Sequence, residues 1–170
     1  EKVAMEVAIG ASLGGARAMV AMKHVGLNVA ADPLFTVSYT GVNGGLVVVV
    51  ADDPGMHSSQ NEQDSRCYAR AAHIPMLEPS DSQEAKDYMK RALELSEQYD
   101  TPVLLRMTTR VSHAQSVVET GEREEIEFKP YEKNIGKNVM MPAMAVKRHI
   151  VVENRMKELA KAANTMDFNR

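Results

Sequence analysis

The 170-residue chain contains a single cysteine, Cys67. One thiol cannot build a disulfide framework, nor a Cys-ligated metal or iron–sulfur centre within the chain. Such sparing use fits a reducing cytoplasm. Positive charge is not in excess either: the formal net charge is −3 and the pI about 6.0. No basic field is present to attract nucleic acid or an anionic membrane. No apolar run approaches the roughly 20 residues that cross a bilayer, and no secretory leader pattern opens the chain. Several chemical signatures are missing as well. Gly10, Gly14 and Gly15 fall inside a helical pattern, not between a strand and a helix, and no Gly-Lys-Ser/Thr follows, so they are no phosphate loop. His24, His57, His73, His113 and His149 show no metal-ligand spacing. There is no Gly-x-Ser-x-Gly elbow. The chain opens on Glu1 rather than Met, which reads as a fragment of something longer.

What is present is an ordinary globular composition, 44% hydrophobic and 25% charged. That is enough for one domain with its own core, or one domain plus part of another. Twelve Met residues suggest an adaptable core. Residues 1–16 read as a helix, with Val3, Val7, Gly10, Ala11 and Gly14 on a small-residue face suited to close packing. Ala18 to Met22 is a short buried strand. His24 to Asn28 reads as a turn, followed by a helix to about Tyr39. Leu46 to Ala51, with four consecutive valines, does not alternate and so predicts a strand covered on both faces. Asp52 to Asn61 is a polar loop. A helix over 62–72 and a strand over 74–77 follow. Pro79-Ser80 opens a long helix, with Ser80 and Gln83 at capping-box spacing and Ala85, Tyr88, Met89, Ala92, Leu93 and Tyr99 on one face. Pro102 to Met107 is another buried strand.

Helices alternating with apolar strands over short connections predict a three-layer α/β fold, a mainly parallel sheet with helices on both faces. Residues 1–118 form the domain. Residues 119–142 read as a charged linker, with one edge strand over Glu125–Phe128. Residues 143–170 form a helix leading into, or docking from, a following domain. Cys67 is expected as a buried, inert thiol. His73 and His149 are expected to be structural or exposed.

In such a sheet, ligands bind beyond the carboxyl ends of the strands. Three loops leave those ends: 24–28, 52–63 and 108–115. The second is the richest, carrying Asp52, Asp53, His57, Ser58, Ser59, Gln60, Asn61, Glu62 and Gln63. Asp52-Asp53 at a strand end also admits a flavodoxin-like signalling reading, but Thr108, Thr109 and Arg110 stand where a receiver domain has a lysine. A non-catalytic subunit-pairing module is a further alternative.

Longer runs are more specific. Glu1-x-x-Ala4-x-x-x-Ala8-x-Gly10 is similar to the segment around the catalytic glutamate of thiamine diphosphate enzymes. The runs from Met22 to Pro33, Val50 to Gly55, His57 to Asp64, Leu77 to Ser80 and Val103 to Arg106 closely resemble the alpha-subunit family of indolepyruvate ferredoxin oxidoreductases. The resemblance covers essentially the whole chain, less distinctively after Val118. It implies the pyrimidine-binding domain of the thiamine diphosphate fold, with its first strand missing. It implies oxidative decarboxylation of aryl pyruvates to the acyl-CoA, with electrons passed to ferredoxin.

Carried over by position, Glu1 is the carboxyl that hydrogen-bonds the pyrimidine nitrogen N1′, a role suited to an apolar, water-poor pocket. His24, Gly26 and Asn28 line the same cofactor pocket. His57, Ser58, Ser59, Gln60 and Gln63 face the substrate. The related pyruvate enzymes carry an arginine near the place of Asp52-Asp53, and its absence suits a bulkier acid. The diphosphate and its Mg2+ are held in that superfamily by a Gly-Asp-Gly domain, a motif not found here, and the 4Fe-4S clusters likewise need ligands outside this chain. No metal site is expected here. The implied partners are a beta subunit, ferredoxin and coenzyme A, with subunits pairing through the cofactor site. The chain supplies half a site.

Overall fold

The computed structural model describes residues 1–169. Arg170, the end of the last expected helical segment, lies outside the described residues. Four parallel strands form one sheet in the order β1-β2-β4-β3: β1 Ala18–Lys23, β2 Leu46–Asp52, β3 Met76–Leu77 and β4 Val103–Thr108. β2 lies between β1 and β4, with Val48 opposite both Val20 and Leu104. That position explains its unbroken apolar run, since both faces of β2 are covered. β1 is an edge strand, and Met19 on it is 59% exposed.

The helices fall on two faces. α1 Lys2–Leu13, α2 His24–Val29, α3 Ala31–Thr40 and α4 Ser65–Ala71 contribute Met5, Ala8, Leu27, Leu34, Val37 and Ala69 to a core with Val20, Val48, Val50 and Leu104. α5 Ser82–Tyr99 covers the other face. There Ala92 and Leu95, with Tyr88, Met89, Leu93 and Tyr99, pack on Val47, Val103 and Leu105. This is the three-layer arrangement that the alternation of elements predicts.

Several expectations are corrected in detail. The small-residue face of α1 looks outward: Val3 is 75% and Val7 67% exposed, and a side chain at Gly10 would meet nothing within 4 Å. The buried stripe is Met5, Ala8 and Ser12 instead. The segment 24–28 is not a turn but the helix α2, entered directly from β1. α4 begins at Ser65, capped by Asp64, which accepts from the Arg66 amide at 3.1 Å. The cap of α5 is shifted by one residue. Asp81 accepts from the Glu84 amide at 2.8 Å, and the Glu84 carboxylate accepts from the Ser80 amide at 2.9 Å. Cys67 is exposed on α4 rather than buried. Thr109–His113 forms a short helix, α6.

Residues 125–128 do not form a strand. Their neighbour Lys129 donates its amide to the Gly15 carbonyl at 3.0 Å. Gly15 is required there: its φ is +94°, and an added Cβ would lie 1.8 Å from the Lys129 carbonyl oxygen. α7 Ile135–Asn138 and α8 Pro142–Ala163 complete the chain. α8 docks on α3 through two arginines that satisfy carbonyls at the α3 C-terminus. Arg148 donates to the Tyr39 carbonyl at 2.6 Å and Arg155 to the Ser38 carbonyl at 2.7 Å. His149 on α8 stacks near Tyr39, its Nδ1 3.0 Å from the tyrosine hydroxyl. His73, half-buried, faces Glu153 of α8 at 3.6 Å. Among the described residues no helix is long and apolar enough to cross a membrane.

Candidate functional site

Because every strand is parallel, the segments after β1, β2 and β4 emerge at one end of the sheet. α1 feeds β1 from the opposite end, so the N-terminus of α1 returns to that same carboxyl end. The result is visible at Gly26. A Cβ built there would lie 2.5 Å from Glu1 Cγ and 3.1 Å from Glu1 Oε1. Glu1 therefore rests directly on the bare backbone of α2, and glycine is what makes room for it. Glu1 occupies the N-cap position of α1, yet its side chain makes no capping hydrogen bond. The carboxyl is therefore not used to cap its own helix. It is exposed in this chain, not enclosed in the apolar pocket expected for it.

His24, the first residue of α2, is fully buried. Its Nε2 lies 3.2 Å from the Asn61 carbonyl. A carbonyl only accepts, so Nε2 is the donor in that contact. The other ring nitrogen, Nδ1, is buried without a partner. Lys23 Nζ donates to the Ser58 carbonyl at 2.5 Å. The two residues that end β1 and begin α2 thus brace the loop after β2. Asn28 is exposed, and its side-chain amide donates to the Tyr68 hydroxyl of α4 at 2.5 Å.

The loop after β2 is organised by two adjacent acids. Asp52 is buried and accepts from the Ser65 amide at 3.0 Å, from the Ser65 hydroxyl, and from Arg106 Nε at 2.6 Å. Arg106, itself buried, also donates to Glu78. Asp53 turns to the other side and accepts from the amides of His57 and Ser58 and the hydroxyls of Ser59 and Thr109. These four donors, the Ser59 hydroxyl foremost, hold its carboxyl far below the usual carboxylate range. Both aspartates are therefore committed to structure, which sets aside the signalling reading, since a phosphoacceptor needs a free carboxylate. His57 is exposed, its ring 3.4 Å from the place of a Cβ on Gly55. Gln60 is exposed. Gln63 is half-buried and donates to the Asn61 side chain at 3.0 Å.

The structure thus brings Glu1 onto Gly26, His24 onto Asn61 and Lys23 onto Ser58. Asn28 instead turns toward α4. Sequence reasoning missed Arg106 and Thr109 as parts of this cluster. The run Leu104-Leu105-Arg106-Met107 held one clue, a charge inside a buried strand, which demands a buried partner. A hollow of ≈ 620 Å³ lies elsewhere, lined by charged residues of α5 with Tyr88, Asp167 and Phe168, and it shares no residue with the strand-end loops. Among the described residues no cluster of three or more His, Cys, Asp or Glu side chains is placed to hold a metal ion.

Comparison with known proteins adds three findings. A family described as pyruvate flavodoxin/ferredoxin oxidoreductase, thiamine diphosphate-binding, matches residues 1–167. The chain is 52% identical over 171 residues to a protein of Archaeoglobus fulgidus named indolepyruvate oxidoreductase subunit IorA, covering 99% of this chain and 27% of that protein. It is 55% identical over 172 residues to the protein of the same name from Methanothermobacter marburgensis, covering 100% of this chain and 28% of that one. The chain therefore spans a little over a quarter of these relatives. In fold it is similar to a 2-oxoglutarate:ferredoxin oxidoreductase from Magnetococcus marinus, with a TM-score of 0.64, 15% identity, and coverage of 95% of this chain and 36% of that one.

Proposed function

The chain belongs to the thiamine diphosphate-binding family of pyruvate flavodoxin/ferredoxin oxidoreductases, and from that premise we propose that it supplies the pyrimidine-side half of a cofactor site in an indolepyruvate:ferredoxin oxidoreductase. The reaction is the oxidative decarboxylation of indolepyruvate and other aryl pyruvates to the acyl-CoA, with ferredoxin as electron acceptor. The names carried by the relatives support the substrate. The observation that carries the cofactor half is Glu1, uncapped and seated on Gly26.

Three features of this chain fit the pyrimidine ring of thiamine diphosphate. The Glu1 carboxyl is uncommitted at the sheet's carboxyl end. Gly26 gives a surface without a side chain for that carboxyl to lie on. His24 Nδ1 is a buried ring nitrogen without a hydrogen-bond partner. When bound, the cofactor supplies a carbon nucleophile for the keto group and a sink for the electrons released with carbon dioxide. With the cofactor bound, Glu1 would hydrogen-bond the ring nitrogen N1′ and so favour the imino tautomer of the pyrimidine. His24, Gly26 and Asn28 shape the pocket around that contact. His57, Ser58, Ser59, Gln60 and Gln63 face the keto acid, where the Ser58 hydroxyl and the Gln60 side-chain amide suit its carboxylate. Mg2+ for the diphosphate and the 4Fe-4S clusters are held outside this chain.

In this reading residues 1–118 carry the cofactor chemistry, 119–142 connect, and 143–170 lead to the next part of a cytoplasmic enzyme. A beta subunit, ferredoxin and coenzyme A are the partners, and subunits pair across the cofactor. The test is Glu1→Gln in the full-length enzyme, followed by indolepyruvate-dependent ferredoxin reduction. Turnover drops by orders of magnitude; turnover near wild type rejects the role. In the same assay, a clear preference for pyruvate over indolepyruvate and phenylpyruvate removes the aryl-pyruvate substrate and leaves the cofactor reading standing.

A further inference from the structure

Asp53 lies just beyond the carboxyl end of β2 and is only 5% exposed. Its Oδ1 accepts from the His57 amide at 3.2 Å and the Thr109 hydroxyl at 2.8 Å. Its Oδ2 accepts from the Ser58 amide at 2.8 Å and the Ser59 hydroxyl at 2.7 Å. Its main-chain carbonyl accepts from the Met56 amide at 3.0 Å. One ionised carboxylate offers about four lone-pair sites, so its capacity is filled by a single loop and the first residue of α6.

The loop needs such an anchor. Gly55 and Met56 are both left-handed, at φ +82° and +55°, and a non-glycine residue in that region is strained unless its surroundings hold it. On its other side the loop is braced by Lys23 at the Ser58 carbonyl and by His24 at the Asn61 carbonyl. Asp53 and Thr109 fix the loop from the β4 side, and Lys23 and His24 at the β1–α2 junction fix it from the Glu1 side. The residues between these supports are His57 to Asn61.

We propose that Asp53 is a positioning residue for the 2-oxo acid: its carboxylate holds the His57 and Ser58 main chain and the Ser59 hydroxyl, and with them the groups of this loop that meet the substrate, in register with Glu1. This rests on the reading of that loop as the substrate side of a thiamine diphosphate site. Asp53 does not touch substrate itself, because its acceptor sites are filled from within the chain. Asp53→Asn keeps the shape but replaces one oxygen by an amide nitrogen. In either orientation that nitrogen faces a main-chain N–H, of His57 or of Ser58, and two donors then oppose each other.

The test uses the full-length enzyme. Losing a hydrogen bond to a charged group corresponds to about a tenfold effect or more, so Asp53→Asn raises the KM for indolepyruvate about tenfold. In the same variant kcat stays within about threefold, and thiamine diphosphate binding to the cofactor-free enzyme, followed by calorimetry, is unchanged. Thr109→Val raises KM in the same direction, and Thr109→Ser, which keeps the donor, restores it. A purely structural role moves melting temperature and kcat but not this split. An unchanged KM in Asp53→Asn overturns the proposal. Where that variant does not fold, equal KM values for Thr109→Val and Thr109→Ser overturn it. Glu1→Gln run alongside separates the two ideas: full turnover there rejects the underlying cofactor reading, whereas a dead Glu1→Gln with unchanged KM in Asp53→Asn rejects the positioning role alone.

Discussion

Gly26→Ala isolates the contact on which the functional reading depends. Gly26 sits inside α2 and is not among the residues with positive φ, so alanine suits its backbone. Helical Gly→Ala contributes up to about 1 kcal/mol of stability. The added carbon, however, lies 2.5 Å from Glu1 Cγ. Ordinary carbon contacts begin near about 3.5 Å. The Glu1 side chain must therefore withdraw by about 1 Å, and being long, exposed and flexible it does so at little cost to the fold. A displacement of that size at a reacting group costs on the order of 10²-fold in rate. The substitution thus separates two quantities that most mutations move together. In the full-length enzyme, indolepyruvate-dependent ferredoxin reduction falls about 100-fold, while thermal melting of the same preparation stays level or rises slightly. Turnover within about threefold of wild type refutes the argument, because the carboxyl would then not need the place it occupies on α2. A large loss of stability refutes it differently, by showing that the neighbours of Gly26 cannot give way.

Two other perturbations probe the framework beneath the site. Arg106→Met leaves the buried carboxylate of Asp52, 2% exposed, without its ion pair. Breaking a buried pair in this way costs about 3–5 kcal/mol, read as a shift in the denaturant midpoint; a loss under about 1 kcal/mol rejects the network as an anchor of β2 to β4. Glu97 on α5 accepts from Arg17 at 2.7 Å, the Gly45 amide at 3.0 Å and Lys129 at 3.1 Å. The Arg17 hydrogen bond, the largest influence, lowers its carboxyl from 4.5 to about 2. A depressed carboxylate contributes stability that is fully present above its unfolded value and lost as pH falls through the folded one. Unfolding curves between pH 5 and pH 2 therefore show a loss that Glu97→Gln flattens, and identical pH dependence in the two proteins rejects the assignment.

The parts of the fold legible in the sequence are those set by strong local patterns. The valine row of β2 could only be a strand covered on both faces, and its neighbours in the sheet are apolar for the same reason. The stripe on α5 is equally plain, since its other side is highly charged. α1 is different. It is apolar on most sides, so periodicity cannot choose between the stripe of Val3, Val7 and Gly10 and that of Met5, Ala8 and Ser12. The sheet takes the methionine side, which reaches deeper into the core. In α2, Gly26 and Asn28 look like turn punctuation, yet the segment is helical and Gly26 is buried. The glycine is there to clear room for Glu1, a requirement that no local window contains. The partners of the site acids were illegible for a similar reason. Arg106 is 54 residues from Asp52 and Thr109 is 56 residues from Asp53.

The two aspartates explain why the loop's charge is not its chemistry. Consecutive residues at a strand end point to opposite sides, so Asp52 and Asp53 serve different supports. Asp52 ties α4 and β4 to the sheet through Ser65 and Arg106, and Asp53 ties the His57–Ser58 main chain to α6 through Thr109. Glu62 accepts from the Gly55 amide, Asp64 caps α4 and pairs with Arg66, and Glu78 pairs with Arg106. The donors around Asp53, and Arg66 beside Asp64, favour the ionised form of those two carboxyls. Glu1 is placed differently: it stands at a helix N-terminus without capping it, with its side chain over a glycine. The richest cluster of acids at this end of the sheet is therefore scaffold, and the proton-holding role proposed for Glu1 rests on a carboxyl that is not used to cap its helix.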